Sequence, residues 1–273
     1  MAQKAHPNIL RIKESLYMGS TYWDEPRLHY ITSTIQKLIE SCCLETTHYL
    51  DKIKVNRDSD LILIEVNLIH LHFKSKRRFI SRRYEENKIK IKKQSWTVLA
   101  SRLHKAIELI QRFTGAKKIT LKINRLKAYT RTVPKPVRKQ LAYFTKGFNK
   151  TKYDYARYGM QLMYLLIKKK ASAASLSRFL KQNICSRQRR KRHYQFLGFI
   201  KQTLKSLEQY KTIQGLKIQI KGRFTHKAKG RSRSWNHQIG SVPLSQLDKN
   251  IQAEYTQAQT AYGSVGLKVW LCL

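Results

Sequence analysis

Arg187, Arg189, Arg190, Lys191 and Arg192 place five cations in six residues, between two stretches that read as helix. Such density costs repulsion unless an anion neutralises it, which suits phosphate contact in RNA or DNA; a solvated basic turn is the plainer alternative. Lys227, Lys229, Arg231 and Arg233 alternate strictly. In an extended strand all four would point one way and could track a phosphate backbone as far as Trp235. From Lys127 to Lys170 basic residues interleave with Tyr129, Tyr143, Phe144, Phe148, Tyr153, Tyr155, Tyr158 and Tyr164. Charge plus ring stacking binds single-stranded nucleic acid, but the same rings could pack a small helix. Both readings stay open.

Other chemistries find little support. No GxxxxGK[ST], GxGxxG or HExxH occurs. Gly263-Ser264-Val265-Gly266 is an isolated GxxG that reads as a turn before a strand. His70 and His72 would share a strand face, but no third ligand lies at recognisable spacing. Cys42, Cys43, Cys185 and Cys272 form no CxxC, so neither a disulfide framework nor a zinc ribbon is implied. No carboxylate pair stands out for metal-dependent hydrolysis. No metal site, no cofactor and no enzymatic activity is expected.

The elements behind these residues carry an unusual charge. The 273 residues hold 56 Lys and Arg against 16 Asp and Glu, a net charge of +40. Residues 87–247 contain only Glu108, Asp154 and Glu208 against 40 basic groups, so +37 of that excess sits there. A polyanionic partner follows, and an ordinary metabolic enzyme does not. Hydrophobic residues at 41% suffice for a core. Length allows one to three domains. No apolar run reaches the roughly 18 residues that span a bilayer; Leu61 to Phe73 contains Glu65, Asn67, His70 and His72 and reads as a strand. No membrane insertion is expected.

Ile31, Ile35, Leu38 and Ile39 have helical spacing. Ile62, Ile64, Val66 and Leu68 alternate as a strand, with Lys52 to Arg57 as its partner. Trp96, Leu99, Leu103, Ile107, Ile110 and Phe113 form one face of a long helix, with Gly115 placed to cap it. Ile119, Leu121 and Ile123 make another half-wet strand. Val133-Pro134-Lys135-Pro136 marks a boundary. Helices return at Leu176 to Ile184 and Phe196 to Leu207. Leu216, Ile218 and Ile220, then Val265, Leu267, Val269 and Leu271, alternate as strands, while Asp248 to Thr260 looks helical by composition. The pattern is α+β in two halves joined by a basic, aromatic segment.

Three ordered segments, GLKIQIKGRF (Gly215 to Phe224), SVPLSQL (Ser241 to Leu247) and AYGSVGLKVWLCL (Ala261 to Leu273), closely resemble the carboxy-terminal domain of the small-ribosomal-subunit protein S-three family. The opening MAQKAHPNILRIKESLYMGSTYW is similar to that family's MGQKxHPxxxRL start and following tryptophan-containing turn. The resemblance covers about half the chain strongly. It implies a degenerate type II KH-like domain, then a helical pair and a four-stranded antiparallel sheet domain, and it makes Asp248 to Thr260 strand.

The domains expected are an N-terminal extension at 1–30, the KH-like domain at 31–126, a basic aromatic insertion at 127–174 and the carboxy-terminal ribosomal domain at 175–273. A KH domain clamps nucleotides with a GxxG loop, yet no glycine occurs between Gly19 and Gly115. A charged insertion at 74–93, with Lys76, Arg77, Arg78, Arg82 and Arg83, stands there instead. The resemblance implies rRNA of the small subunit as partner, contacted by these residues, by Lys4, His6 and Arg223, and by the two basic groups at 187–192 and 227–233. It also implies neighbouring proteins of the subunit head, and mRNA at the entry channel for the Arg187–Arg192 cluster. Missing GxxG, internal insertions and Ile/Lys/Asn/Tyr-heavy usage point to an organelle-encoded member of the mitochondrial ribosome, in the matrix. The family's start at Met1 leaves no room for a cleaved import signal on this expectation. The competing expectation is a basic organellar nucleic-acid enzyme, maturase-like or a DNA lyase.

Overall fold

A computed structural model describes residues 6–11, 25–43, 48–57, 61–71, 96–128, 133–137, 139, 154–185, 193–223 and 231–273. In chain order its main elements are α1 (Pro7–Leu10), α2 (Glu25–Cys43), β1 (His48–Arg57), β2 (Leu61–Leu71), α3 (Trp96–Thr114) and β3 (Lys118–Ala128). Then come α4 (Asp154–Ile167), α5 (Ala173–Cys185), α6 (His193–Leu207), β4 (Gly215–Gly222), β5 (Arg233–Gly240), β6 (Ile251–Thr260) and β7 (Gly263–Cys272). Two units result: residues 14–127, and residues 1–13 together with 128–273.

The first unit follows from two periodicities. Alternation in β2 buries Ile62, Ile64, Val66 and Leu68 on one face of a sheet ordered β1-β2-β3. Ile31, Ile35 and Ile39 of α2 and Leu99, Leu103 and Ile110 of α3 close over that face. β1 is antiparallel to β2, with a register shift between Leu50 and Lys52. Cross-strand contacts advance together from Thr120–Ile62 through Lys122–Glu65 to Asn124–Asn67, so β3 runs parallel to β2. A parallel neighbour needs a long crossover, and α3 lies within it. The stripe expected on α3 is narrower than its spacing suggested. Leu99, Leu103, Ala106 and Ile110 are buried, whereas Phe113 is exposed and meets Tyr30 at 6.3 Å between centroids. At 100° per residue, Phe113 has drifted to the stripe's edge.

The second unit stacks helices on one antiparallel sheet ordered β5-β4-β7-β6. Among the described residues α5 and α6 lead into that sheet, and α4 lies ahead of them. Tyr155 on α4 meets Phe196 and Phe199 of α6 edge-on, at 5.2 and 5.5 Å, so this ring of the basic, aromatic stretch packs a helix. Ile251–Thr260 is a strand. Gly263 and Gly266 lie within β7, so the turn itself is Ala261-Tyr262. Among the described residues no helix is long and apolar enough to cross a membrane.

Candidate nucleic-acid interface

Strand register decides which side chains of the second sheet share a face. Leu216 pairs with Ile239 and Leu271, Ile218 with His237 and Val269, and Ile220 with Trp235 and Leu267. This face lies against α5 and α6, and at its β6 margin Ser177 and Thr256 hydroxyls meet at 2.7 Å. The opposite face carries Lys217, Gln219 and Lys221 on β4, Ser234, Asn236 and Gln238 on β5, and Lys268 and Trp270 on β7.

That opposite face is half covered. Ile251, Ala253, Trp270 and Cys272 form a small apolar cluster with Val242, Leu244 and Tyr255. The short helix α1 docks beside it through four residue types that the sequence HPNILR supplies. His6 caps α1 by accepting from the Asn8 amide at 3.3 Å, and its ring lies 4.4 Å from that of Tyr255. Burial and then the charge of Lys268 push its pKa down, which favours the neutral ring that an accepting nitrogen needs. Pro7 occupies the first helical turn, where no N–H is required. Asn8 closes the outer rim of β6: its side-chain N–H₂ donates to Ala253 O at 3.1 Å and its Oδ1 accepts from Ala253 N at 2.9 Å. Arg11 donates to the carbonyls of Lys249 (3.0 Å), Leu244 (2.9 Å), Pro7 (3.3 Å) and Gln246.

The uncovered half is polar and basic. Lys221, Lys268, Ser234, Asn236 and Gln238 are exposed, and Lys217 and Gln219 partly so. Lys217 Nζ sits 5.6 Å from the Trp270 ring, and Lys268 Nζ sits 4.8 Å from that of Tyr255. None of these positions is acidic. These lysines were not among the expected contacts; the signal was the alternation of Lys217, Gln219 and Lys221 along one strand.

Of the expected residues, Lys4, Lys76, Arg77, Arg78, Arg82, Arg83, Arg187, Arg189, Arg190, Lys191, Arg192, Lys227 and Lys229 lie outside the described residues. Arg223, Arg231 and Arg233 come together at one end of the β4–β5 pair, where Gly222 faces Arg233. Arg223 stands 6.0 Å from the Tyr262 ring. Of the described members of the alternating series, Arg231 precedes the strand and Arg233 lies in it. Arg233 shares parity with Trp235 and His237, so it points to the helix side, where its Nη1 donates to the Tyr194 hydroxyl at 3.2 Å. It therefore faces away from the lysine-bearing side. Between α5 and α6 the His193 ring Nε2 donates to Ile184 O at 3.2 Å. A carbonyl only accepts, so that nitrogen carries the proton. Among the described residues no group of three His, Cys, Asp or Glu could hold a metal ion.

Residues 187–271, which comprise α6 and all but the last residue of the second sheet, match the family model described as "Ribosomal protein S3, C-terminal domain". This matched stretch, about a third of the chain, is similar to the carboxy-terminal domain of that ribosomal protein family. Similar proteins named small ribosomal subunit protein uS3c occur in Tetradesmus obliquus (41% identical over 28% of this chain and 11% of the relative). Another occurs in Cyanophora paradoxa (35% over 37% and 42%). Small ribosomal subunit protein uS3 of Borrelia garinii subsp. bavariensis is 44% identical over 24% of this chain and 22% of its own. The chain thus spans less than half the length of each. The S-three-like GLKIQIKG stretch begins at a glycine for a local reason. Gly215 faces Gly240, and a Cβ on either would lie about 2 Å from a backbone oxygen, at 2.2 Å from Ser241 O or 2.1 Å from Gln214 O. Ser241 N donates to Gln214 O at 3.2 Å in the same close crossing.

Proposed function

We propose that this protein is a structural rRNA-binding component of the small subunit of a mitochondrial ribosome, in the subunit head near the mRNA entry channel, where it supports translation. One observation carries the reading: the S-three carboxy-terminal match at 187–271 overlaps the region 87–247 that holds +37 of the net charge. A ribosomal frame with so few carboxylates suits phosphate neutralisation by many Lys and Arg, with sheets and helices fixing position. The expected contacts at Lys4, His6, 76–83, 187–192, Arg223 and 227–233 belong to this proposal, as do mRNA at 187–192 and neighbouring head proteins.

The first unit is read as a degenerate type II KH-like frame. Its helix–strand–strand–helix–strand order, with β3 parallel to β2, supports that reading. Without glycine between 19 and 115 it lacks the loop that would clamp a single strand. The relatives named uS3c favour an organelle ribosome. Within organelles, the missing clamp, the insertions at 74–93 and 127–170 and the Ile/Lys/Asn/Tyr-heavy composition favour the mitochondrial one.

Sedimentation tests the proposal. Tagged protein should travel with mitochondrial small subunits in sucrose gradients and leave them at high salt. A predominantly free pool overturns the ribosomal reading, and co-sedimentation with plastid subunits overturns the mitochondrial part. Nucleic-acid turnover by the pure protein, abolished by one point change, would favour the maturase-like or DNA-lyase alternative.

A further inference from the structure

We propose that the uncovered half of the four-stranded sheet is a platform for the phosphate backbone of folded RNA, with Lys217, Lys221 and Lys268 as its cationic contacts. The inference rests on the rRNA-binding reading above and assigns it a surface. Lys217 and Lys221 stand on one face of β4, about 13 Å apart at the usual strand rise. Lys268 lies opposite Gln219 on the adjacent strand, between them along the axis and about 5 Å to one side. The three ammonium groups therefore form a shallow triangle on a surface without a carboxylate.

Two of the lysines are held before any ligand arrives. Lys217 lies over Trp270 and Lys268 over Tyr255, at 5.6 and 4.8 Å. A cation resting on a ring face is attracted by its quadrupole. Less rotamer freedom then remains to be lost on binding. Both rings are themselves held, since Trp270 Nε1 donates to the Tyr255 hydroxyl at 3.2 Å and the Tyr255 ring lies 4.4 Å from that of His6. Gln219, Asn236 and Gln238 fill the remaining area with amides, which hydrogen-bond sugar and phosphate oxygens without demanding a base sequence.

The same surface is poorly suited to a protein partner. A protein interface is organised around buried aromatic or aliphatic anchors. Here Ile251, Ala253 and Trp270 of this face are already buried, and the partly buried Tyr255 ring is occupied by Lys268 and His6. The fully exposed side chains of this half are ammonium, amide and hydroxyl groups.

The test uses the full chain with Lys217→Gln, Lys221→Gln and Lys268→Gln combined, against a matched variant with Lys181→Gln, Lys201→Gln and Lys205→Gln on the helices. Binding to a structured small-subunit rRNA transcript is measured by filter retention from 50 to 300 mM KCl, after melting curves show both variants folded. Loss of three phosphate contacts should make the log K against log [salt] slope shallower by about 2 to 3. The helix variant should retain the wild-type slope to within about 1. Equal loss in both variants, or a wild-type slope in the sheet variant, overturns the platform while leaving the rRNA-binding reading intact. A wild-type protein with no salt-dependent RNA affinity instead fails that reading itself. A sheet variant with normal RNA binding but impaired subunit incorporation assigns the surface to a protein and overturns the proposal.

Discussion

Arg11→Met should undo the docking of the amino-terminal segment on the edge of the second sheet. Arg11 is buried and gives its guanidinium hydrogens to the carbonyls of Pro7, Leu244, Gln246 and Lys249. A hydrogen bond to a charged group contributes roughly 1.5–3 kcal/mol when its loss leaves partners dry. Gln246 is exposed, and Leu244 and Lys249 are partly so, so water recovers much of that loss. The expected cost is therefore about 3 kcal/mol, the worth of one or two such bonds. For a domain of this size that is a fall in Tm of about 6–12 °C. Arg11→Lys should recover less than half, because an ammonium cannot fork to several carbonyls in fixed directions. The deficit should persist in high salt, since the partners are neutral carbonyls rather than ions. Calorimetry of the full chain measures the first two outcomes, and hydrogen exchange at the Ala253 amide reports whether Asn8 still closes the strand edge. Adding Asn8→Ala to Arg11→Met should cost less than Asn8→Ala alone, because both groups hold one helix. A Tm within about 2 °C of wild type, or equal stability of Arg11 and Lys at this position, refutes the account.

Gly240→Ala should cost several times more than Gly115→Ala, as chemical denaturation would measure. Both have φ +66°, but a Cβ at 115 meets nothing within 4 Å, whereas at 240 it meets Gln214 O at 2.1 Å. Equal costs would mean that backbone strain alone matters. Gly159→Ala should destabilise by about 1–3 kcal/mol despite alanine's better helix propensity, because its Cβ would lie 2.9 Å from Phe179 and 3.0 Å from Phe199; a neutral result would show those rings free to move. Acidification should loosen the second unit. His6 has its pKa lowered by burial and then Lys268, and His237 by burial and then Lys201. The unfolded chain therefore binds more protons below the ordinary histidine value, so this stability is present at pH 7.5 and lost as pH falls toward 5. His6→Gln with His237→Gln should flatten Tm between those pH values, and an unchanged slope would assign the dependence to other groups.

The parts of the fold legible in the sequence are those fixed by local periodicity. Ile62 to Leu68, Leu216 to Ile220 and Val265 to Leu271 alternate because one face of each strand is buried and the other is wet or shared. Ile251 to Thr260 misleads by composition, since Gln, Ala and Glu favour helix. Its strand state depends on pairing with β7 and, at the rim, on Asn8, which is 245 positions from Ala253. No local window contains that information. The same limit hid the place of Lys268 beside Lys217 and Lys221, which local alternation alone puts on one face of β4. Dense runs such as 187–192 draw attention because they are contiguous, while this triangle exists only through the register of Gln219 with Lys268. Conversely, parity turns Arg233 toward Tyr194, although the alternating series alone suggested a single phosphate-facing row.

The family match lies at residues 187–271, and α1 from the amino end docks on the sheet within it. At the amino end, His6, Asn8 and Arg11 each satisfy a particular ring, strand edge or set of carbonyls on the carboxy-terminal sheet. At the other end, Gly215 and Gly240 fill positions where a Cβ would meet backbone oxygen, and Trp270 gives its indole hydrogen to Tyr255. Each requirement is geometric, so few residue types meet it. The basic middle is constrained differently. Attraction to a polyanion depends on how many cations lie near it more than on which rotamer each adopts, so Lys and Arg can be added or moved there at little structural cost. A frame demanding particular side chains can therefore keep its geometry while +37 of charge accumulates across residues 87–247, which include its own β4 and β5.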